Sequence, residues 1–166
     1  IILDSNIIQY AVDKNASIVF VPYLLDLLER GFGLAISDIT IYELLKGANA
    51  KNEAEMLRIL NIFQRYYLID NVLIASAQLE TIYKIENIEP KQIESGDKLI
   101  GATAILTGSL VLTANSRDFP IPYFQELERK PLVYDEKKNR SKCILVSILS
   151  PDLMMINRRF SERPRE

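Results

Sequence analysis

The chain opens with IILDSNII, residues 1–8, in which an aspartate directly follows a short apolar run. Three consecutive aliphatic residues, Ile1 to Leu3, are typical of a buried strand. An acid at the end of a buried strand carries a desolvation cost of several kcal/mol unless it is paired or bound to a metal. Asp4 is therefore a candidate functional carboxylate.

Strand-like and helix-like segments alternate beyond this stretch. The apolar spacing predicts helices over residues 17–30, 38–47, 53–65, 71–85 and 96–107, a break at Pro90, and strands over 33–37, 66–69, 109–113 and 132–134. Strands that alternate with helices favour right-handed βαβ units. We therefore expect an α/β fold with a mostly parallel sheet covered on both faces.

Three further acids lie at junctions between these segments: Glu43 in ISDITIYELLKG, Asp97 in ESGDKLIGATA and Asp118 in LVLTANSRDF. In open parallel sheets, sites form beyond the carboxyl ends of the strands. That rule places Asp4, Glu43 and Asp118 on one rim. Asp97 opens a helix leading into the fourth strand, so only a helical hairpin over the site would bring it to the same rim.

Each of these acids also has an ordinary structural interpretation. Glu43 follows Thr40 at the spacing of a capping box. Asp97 suits a helix N-terminus, where the helix dipole favours negative charge. Asp118 could close a turn ahead of Pro120. The four acids together are more specific than any one of them.

Histidine is absent from the sequence, and Cys143 is the single cysteine. These two facts exclude histidine-based acid–base chemistry, catalytic triads with histidine, and zinc sites built on histidine or a thiolate cluster. The remaining chemistry uses carboxylates, hydroxyls, amides and hard cations.

Length and composition indicate one domain: 166 residues, 48% of them hydrophobic, with a net charge of −2. No apolar run approaches the ~20 residues that cross a bilayer, and the first residues lack the features of a signal peptide. With no internal disulfide possible, we expect a cytoplasmic protein with no membrane partner. Basic residues concentrate after residue 116, where a solvated surface is favoured over phosphate binding.

Four segments, LDSNII, SDITIYELLKG, SGDKLIGATAI and LVLTANSRDF, resemble the acidic motifs of PIN-domain ribonucleases, most closely the VapC-type toxins of toxin–antitoxin pairs. The resemblance spans Ile1 to about Phe119 in the expected order. It implies a three-layer α/β/α sandwich with strand order 3-2-1-4-5, in which the helix carrying Asp97 reaches the acidic pocket.

The resemblance also implies the roles of individual residues. The catalytic and metal-binding carboxylates would be Asp4, Glu43, Asp97 and Asp118, and the supporting polar residues would be Ser5, Thr113, Asn115 and Ser37. Ala114 stands where many relatives carry a basic residue, which leaves Arg117 or Lys98 to contact the substrate. Four carboxylates carry too much charge to lie together empty, so one or two Mg²⁺ or Mn²⁺ ions are expected.

The implied function is metal-dependent endonucleolytic hydrolysis of RNA, with an antitoxin protein as partner and a homodimer as the expected assembly. Alternatives are a noncatalytic PIN-like scaffold that binds RNA or protein, and a housekeeping RNA-processing nuclease. A phosphotransferase of the haloacid dehalogenase type is disfavoured because it needs a second acid where this chain has Asn6.

Domain boundaries are expected at residues 1–135 for the nuclease domain and 136–166 for a C-terminal extension packed on it. The extension contains KCILVSIL, which is typical of an added strand, and the polar segment NRRFSERPRE, which is expected to fray. Covering the sheet edge is the favoured role of this extension.

Overall fold

The computed structural model describes residues 1–46, 48–88, 93–137 and 140–162, and these form a layered α/β structure. The strands are β1 (Ile2–Leu3), β2 (Ala35–Ser37), β3 (Gln64–Tyr66), β4 (Val111–Thr113), β5 (Phe124–Lys137) and β6 (Arg140–Pro151). The helices are α1 (Ser5–Val12), α2 (Ser17–Glu29), α3 (Asp38–Leu45), α4 (Ala50–Leu60), α5 (Asp70–Ile85), α6 (Ser95–Thr107) and α7 (Leu153–Ser161).

The strands form one sheet in the order β3-β2-β1-β4-β6-β5. β1 lies in the middle and pairs in parallel with β2 and β4, and β2 pairs in parallel with β3. The carboxyl ends of these four strands therefore share one rim, which we call the carboxyl rim.

The predicted strand order is correct for the first four strands and wrong at the edge. β6 pairs antiparallel with β4, matching Thr113 to Ser147, and β5 is the outermost strand. The physical reason is composition, because inner strands are buried on both faces and read as continuous apolar runs. β6 contains the run ILVSIL, whereas β5 carries alternating charges and Pro131, as edge strands do.

Two apolar clusters lie on opposite faces of the sheet. Leu3 packs with Phe20 and Leu27 of α2, whereas Ile2 packs with Leu79 of α5 and Ile100 of α6. Neighbouring residues of a strand point to opposite faces, so the two residues of β1 join both clusters. The expected three-layer sandwich with a mostly parallel sheet is thereby confirmed.

α5 and α6 form the helical hairpin that the position of Asp97 requires. Val72 at the start of α5 and Leu106 at the end of α6 line a common cleft. Farther along, Glu80 of α5 is paired with Lys98 near the start of α6. The two helices therefore run antiparallel, and α6 begins near the carboxyl rim.

Some element bounds differ from the sequence-based expectations. β3 occupies residues 64–66 rather than 66–69, and α1 and α7 were not predicted. α7 begins at a cap in which the Asp152 carboxylate accepts a hydrogen bond from the Met155 amide, and its Ile156 is buried. The expected boundary after residue 135 falls within β5. Pro90, Gly47 and residues 163–166 lie outside the described residues.

In the part of the chain that the structure describes, no helix combines the length and apolar character needed to span a membrane.

Candidate active site

One pocket at the carboxyl rim, about 310 Å³ in volume, gathers side chains from distant parts of the sequence. Its lining residues are Asp4, Ser5, Asn6, Gln9, Glu43, Lys46, Glu94, Asp97 and Asp118. All four acids singled out in the sequence are among them. We call this cleft the acidic pocket.

Asp4 is the most buried acid of the pocket, with 2% of its surface exposed. Its carboxylate accepts hydrogen bonds from Thr113 Oγ1 and Asn6 Nδ2, each at 2.6 Å, and from Ser5 Oγ at 3.3 Å. Burial raises the pKa of Asp4, and these hydrogen bonds oppose the rise without cancelling it. The carboxylate is thus oriented by neutral donors.

Asn6, which the sequence analysis did not select, joins the first helix to the end of β4. Its Oδ1 accepts a hydrogen bond from the Ala114 amide at 3.0 Å, while its Nδ2 donates to Asp4. Thr113 Oγ1 in turn accepts a hydrogen bond from the Asn115 amide at 2.9 Å. This network fixes the ends of two parallel strands around Asp4.

Glu43 projects into the pocket from the middle of α3. That helix begins at Asp38, so Thr40 lies inside it and donates to the Leu3 carbonyl at 3.4 Å. The capping-box interpretation therefore does not hold. Burial raises the pKa of Glu43, a hydrogen bond from Ser5 lowers it, and the negative charges of Asp4 and Glu94 raise it further.

Gly96 makes room for Glu43 where α6 passes α3. A β-carbon on residue 96 would lie 1.9 Å from Oε1 of Glu43, which is far inside any van der Waals contact. Only glycine allows this close approach of carboxylate and backbone. In the sequence motif SGD, the residue without a side chain, Gly96, therefore directly precedes the acidic residue Asp97.

Asp97 lies in the first turn of α6, and its pKa is strongly raised. Burial raises its pKa to about 8, and the charges of Asp4, Asp118, Glu43 and Glu94 add to the rise in that order. The helix dipole would act in the opposite direction, so it does not dominate. Asp97 is therefore mostly protonated at neutral pH when the pocket holds no cation.

Asp118 closes a short 3₁₀ turn, Ser116–Asp118, that follows β4. Its Oδ2 accepts a hydrogen bond from Asn115 Nδ2 at 2.6 Å. Burial, followed by the charges of Asp4 and Glu94, raises its pKa to about 6. Asp118 can therefore close a turn and still present its carboxylate to the acidic pocket.

Glu94 and Lys46 are pocket residues that sequence reasoning missed. Glu94 occupies the N-cap position of α6 without a capping hydrogen bond from its side chain, and the helix was predicted to begin only at Gly96. Its spacing of three residues before Asp97 is the signal that could have identified it. Lys46 is the one cation among the residues lining this pocket, and its charge lowers the pKa of Glu43.

Other residues selected from the sequence lie outside the acidic pocket. Lys98 is 7% exposed, and its ammonium contacts Glu80 of α5 at 3.1 Å, so its predicted contact with a substrate stays a prediction. Arg117 is exposed and lines a neighbouring cleft. Ser37 is fully buried, and its hydroxyl has no hydrogen-bond partner in the described part of the chain.

The chemistry of the pocket suits a hard divalent cation. Its acids offer only oxygen ligands. Burial raises the pKa of all four selected carboxyls, and neighbouring negative charges add to the rise for Glu43, Asp97 and Asp118. Within the described ranges, no three acidic or cysteine side chains already converge to the separation of metal ligands. The carboxylates of the acidic pocket thus fit a divalent cation. Binding of the cation would bring these carboxylates closer together.

The sequence matches the PIN domain family over residues 1–124. This chain belongs to the PIN domain family. The family resemblance drawn from the four acidic segments is thereby confirmed, and PIN domains are generally nucleases. No curated protein matches the chain.

Two solved structures resemble this PIN domain. FitAcB from Neisseria gonorrhoeae is 25% identical, with a TM-score of 0.59, and the match covers 71% of this chain and 89% of that one. A toxin–antitoxin complex from Klebsiella pneumoniae is 26% identical, with a TM-score of 0.52 and coverage of 73% and 92%. The family match ends at the start of β5, so β6 and α7 lie beyond it.

Proposed function

We propose that this PIN-domain protein is an endoribonuclease that hydrolyses RNA phosphodiester bonds at the acidic pocket with Mg²⁺ or Mn²⁺. The observation that carries the proposal is the gathering of Asp4, Glu43, Asp97 and Asp118 in one pocket. Burial raises the pKa of all four, neighbouring negative charges raise it further for Glu43, Asp97 and Asp118, and such perturbed groups concentrate at functional sites.

The same four carboxylates would hold one or two ions. A bound divalent cation supplies an activated water at neutral pH and stabilises charge that develops on the phosphate. The protein contributes orientation: Thr113 and Asn6 fix the carboxylate of Asp4, and Asn115 fixes that of Asp118. The acidic side chains also exclude a polyanion from the pocket until positive charge is present.

We assign the chain the role of toxin in a toxin–antitoxin pair. Support comes from the Klebsiella pneumoniae structure, which is a toxin–antitoxin complex, and from an apolar stripe on α2. Ile18, Val21, Leu25 and Leu28 repeat at helical spacing on that stripe, and each is at least 42% exposed. An amphipathic helix of an antitoxin would cover such a stripe. The expected homodimer stays a prediction, which light scattering of the purified protein would test.

The nuclease proposal is tested with purified protein, Mn²⁺ and both single-stranded and structured RNA. We expect internal cleavage that EDTA stops and that Asp97→Asn abolishes. A clean preparation that cuts none of these RNAs under any divalent metal would instead support the noncatalytic scaffold.

The toxin role has a separate test. Expression in a bacterium should arrest growth, Asp97→Asn should not, and coexpression of a short open reading frame directly upstream should relieve the arrest. Robust RNA cleavage without growth arrest would instead indicate a housekeeping RNA-processing nuclease.

A further inference from the structure

A second cleft of about 310 Å³ lies beside the acidic pocket and has the opposite character. Its lining residues are Ala114, Asn115, Ser116, Arg117, Arg129, Leu145 and Ser147. It carries two arginines and no acid among these residues. We call it the arginine cleft.

The arginine cleft and the acidic pocket are connected through the segment that follows β4. Asn115 lines the arginine cleft, and its amide donates a 2.6 Å hydrogen bond to Asp118, which lines the acidic pocket. Arg117 directly precedes Asp118 in the chain, is exposed, and has no hydrogen bond or ion pair to any described residue. An RNA strand that leaves the acidic pocket past Asp118 would therefore meet this arginine next.

Arg129 is supplied by the C-terminal hairpin of β5 and β6. The last residue of β4, Thr113, pairs with Ser147, so residues 140–146 of β6 continue past the carboxyl rim. Arg129 is the register partner of Ser147 on β5 and thus lies at that rim. Arg129 lies beyond residue 124, where the PIN family match ends.

The guanidinium of Arg129 is held in one orientation. Its Nε donates to Glu126 Oε1 at 2.8 Å, and the same oxygen accepts a 2.6 Å hydrogen bond from Ser147 Oγ. These contacts lower the pKa of Glu126, with Ser147 as the larger cause, and keep it charged. Neither terminal nitrogen of Arg129 donates a hydrogen bond to a described residue. The forked end of the side chain is thus free for an outside acceptor.

On the basis of the proposed function, we propose that the arginine cleft binds a phosphate of the RNA strand next to the scissile one. The forked guanidinium matches the oxygens of a phosphate and binds them through two parallel hydrogen bonds. Glu126 balances the charge of Arg129, and Arg117 leaves the cleft positive. Since the acidic pocket repels RNA, positive charge beside it is needed to hold the strand in register.

The test measures binding of a short single-stranded RNA of mixed sequence to the uncut Asp97→Asn protein as salt is raised. Arg129→Ala should weaken binding roughly tenfold and reduce the slope of log affinity against log salt by roughly 0.7, the value for one phosphate contact on a single strand. Both proteins should give the same melting temperature, because Arg129 is 52% exposed.

Arg140→Ala is the matched control. Arg140 is also an exposed arginine of the hairpin and also lies near a glutamate, Glu136, at 3.6 Å. It lies seven residues from Ser147 along β6, which is roughly 20 Å. Its removal should leave affinity and salt slope unchanged. If both substitutions weakened binding equally, Arg129 would contribute only its positive charge and no specific phosphate contact, and the proposal would be overturned.

A chemical change in the RNA locates the contact. Methylphosphonate at one phosphate beside the cleavage site should weaken binding to the parent protein and leave binding to the Arg129→Ala variant unaffected. Equal sensitivity of both proteins at every position would also overturn the proposal. If RNA binding depends on Arg129 while the wild-type protein cuts no RNA, that result would support RNA binding at the arginine cleft and refute the proposed nuclease activity.

Discussion

The carboxylate of Glu43 occupies the space that a side chain on residue 96 would fill, since a β-carbon on Gly96 would lie 1.9 Å from Oε1. This contact joins α3 to the start of α6, two elements that bring acids from separate motifs to one pocket. The position of one catalytic candidate thus depends on the absence of a side chain next to another, Asp97.

Gly96→Ala should displace Glu43 and lower RNA cleavage by roughly 10- to 100-fold, the range for changes that misplace a metal-binding carboxylate. Initial cleavage rates at saturating Mn²⁺ give the measurement. Gly33→Ala is the control, because a β-carbon on residue 33 meets nothing within 4 Å. Full activity of the Gly96 variant would show that the Glu43 carboxylate can shift aside without loss of cleavage.

Asp97→Asn should abolish cleavage and at the same time stabilise the metal-free protein. An amide at this position cannot ionise, so the folded state no longer carries a repelled charge, and we expect a gain of about 1–2 kcal/mol at pH 8. Urea unfolding in EDTA measures the free energy of unfolding. Asp70→Asn, which changes an exposed aspartate in the first turn of α5, should give no gain.

The stability of the metal-free protein should fall as pH rises from about 4 to about 8. The folded-state pKa values of Asp97 (about 8) and Asp118 (about 6) lie above the ordinary value of 3.8, so the folded state binds more protons than the unfolded chain. The stability that these two carboxyls contribute is fully present below the unfolded-state pKa of 3.8. It is lost as pH rises through the folded-state pKa values. Melting temperatures in EDTA across this range test the sign, and a rise between pH 6 and pH 8 would contradict it.

Divalent cations should stabilise the protein more at pH 8 than at pH 6. Protons and cations compete for the carboxylates, and a ligand at one hundred times its Kd adds about 2.7 kcal/mol. Titration of Mn²⁺ during thermal unfolding at both pH values measures the difference. The Asp97→Asn variant should lose most of the shift, whereas equal shifts in both proteins would place the ion elsewhere.

Thr113→Val should weaken the site while the shape of the core is kept. The change removes the 2.6 Å hydrogen bond to Asp4, so the pKa of that carboxyl rises further and its orientation is lost. We expect cleavage to fall by roughly 10- to 100-fold. Thr81→Val is the control, since the Thr81 hydroxyl bonds only the Ala77 carbonyl on an exposed helix surface.

The sequence predicted those features that depend on local pattern. The apolar run before Asp4 identified a buried strand, and the alternation of strands with helices identified the layers. Asp97 needed the family resemblance, because its place at the rim comes from the α5–α6 hairpin, a tertiary contact that strand order alone does not reveal.

The misses have physical causes. The role of Asn6 depends on the Ala114 amide, a residue 108 positions away that no local pattern connects to it. The order of β5 and β6 was missed because the strand order was taken from the family resemblance, which ends at about Phe119, before the hairpin that contains both strands. Glu94 was missed because element boundaries are less certain than element types.

The position of β6 also sets an order of assembly. β4 carries Thr113, yet its second neighbour, β6, is synthesised after the other five described strands. A nascent chain that contains only residues 1–124 therefore has an unpaired backbone edge on β4 beside the acidic pocket, where another chain could add a strand. Synthesis of the final hairpin closes that edge, so a shortened gene product would be prone to self-association rather than simply less active.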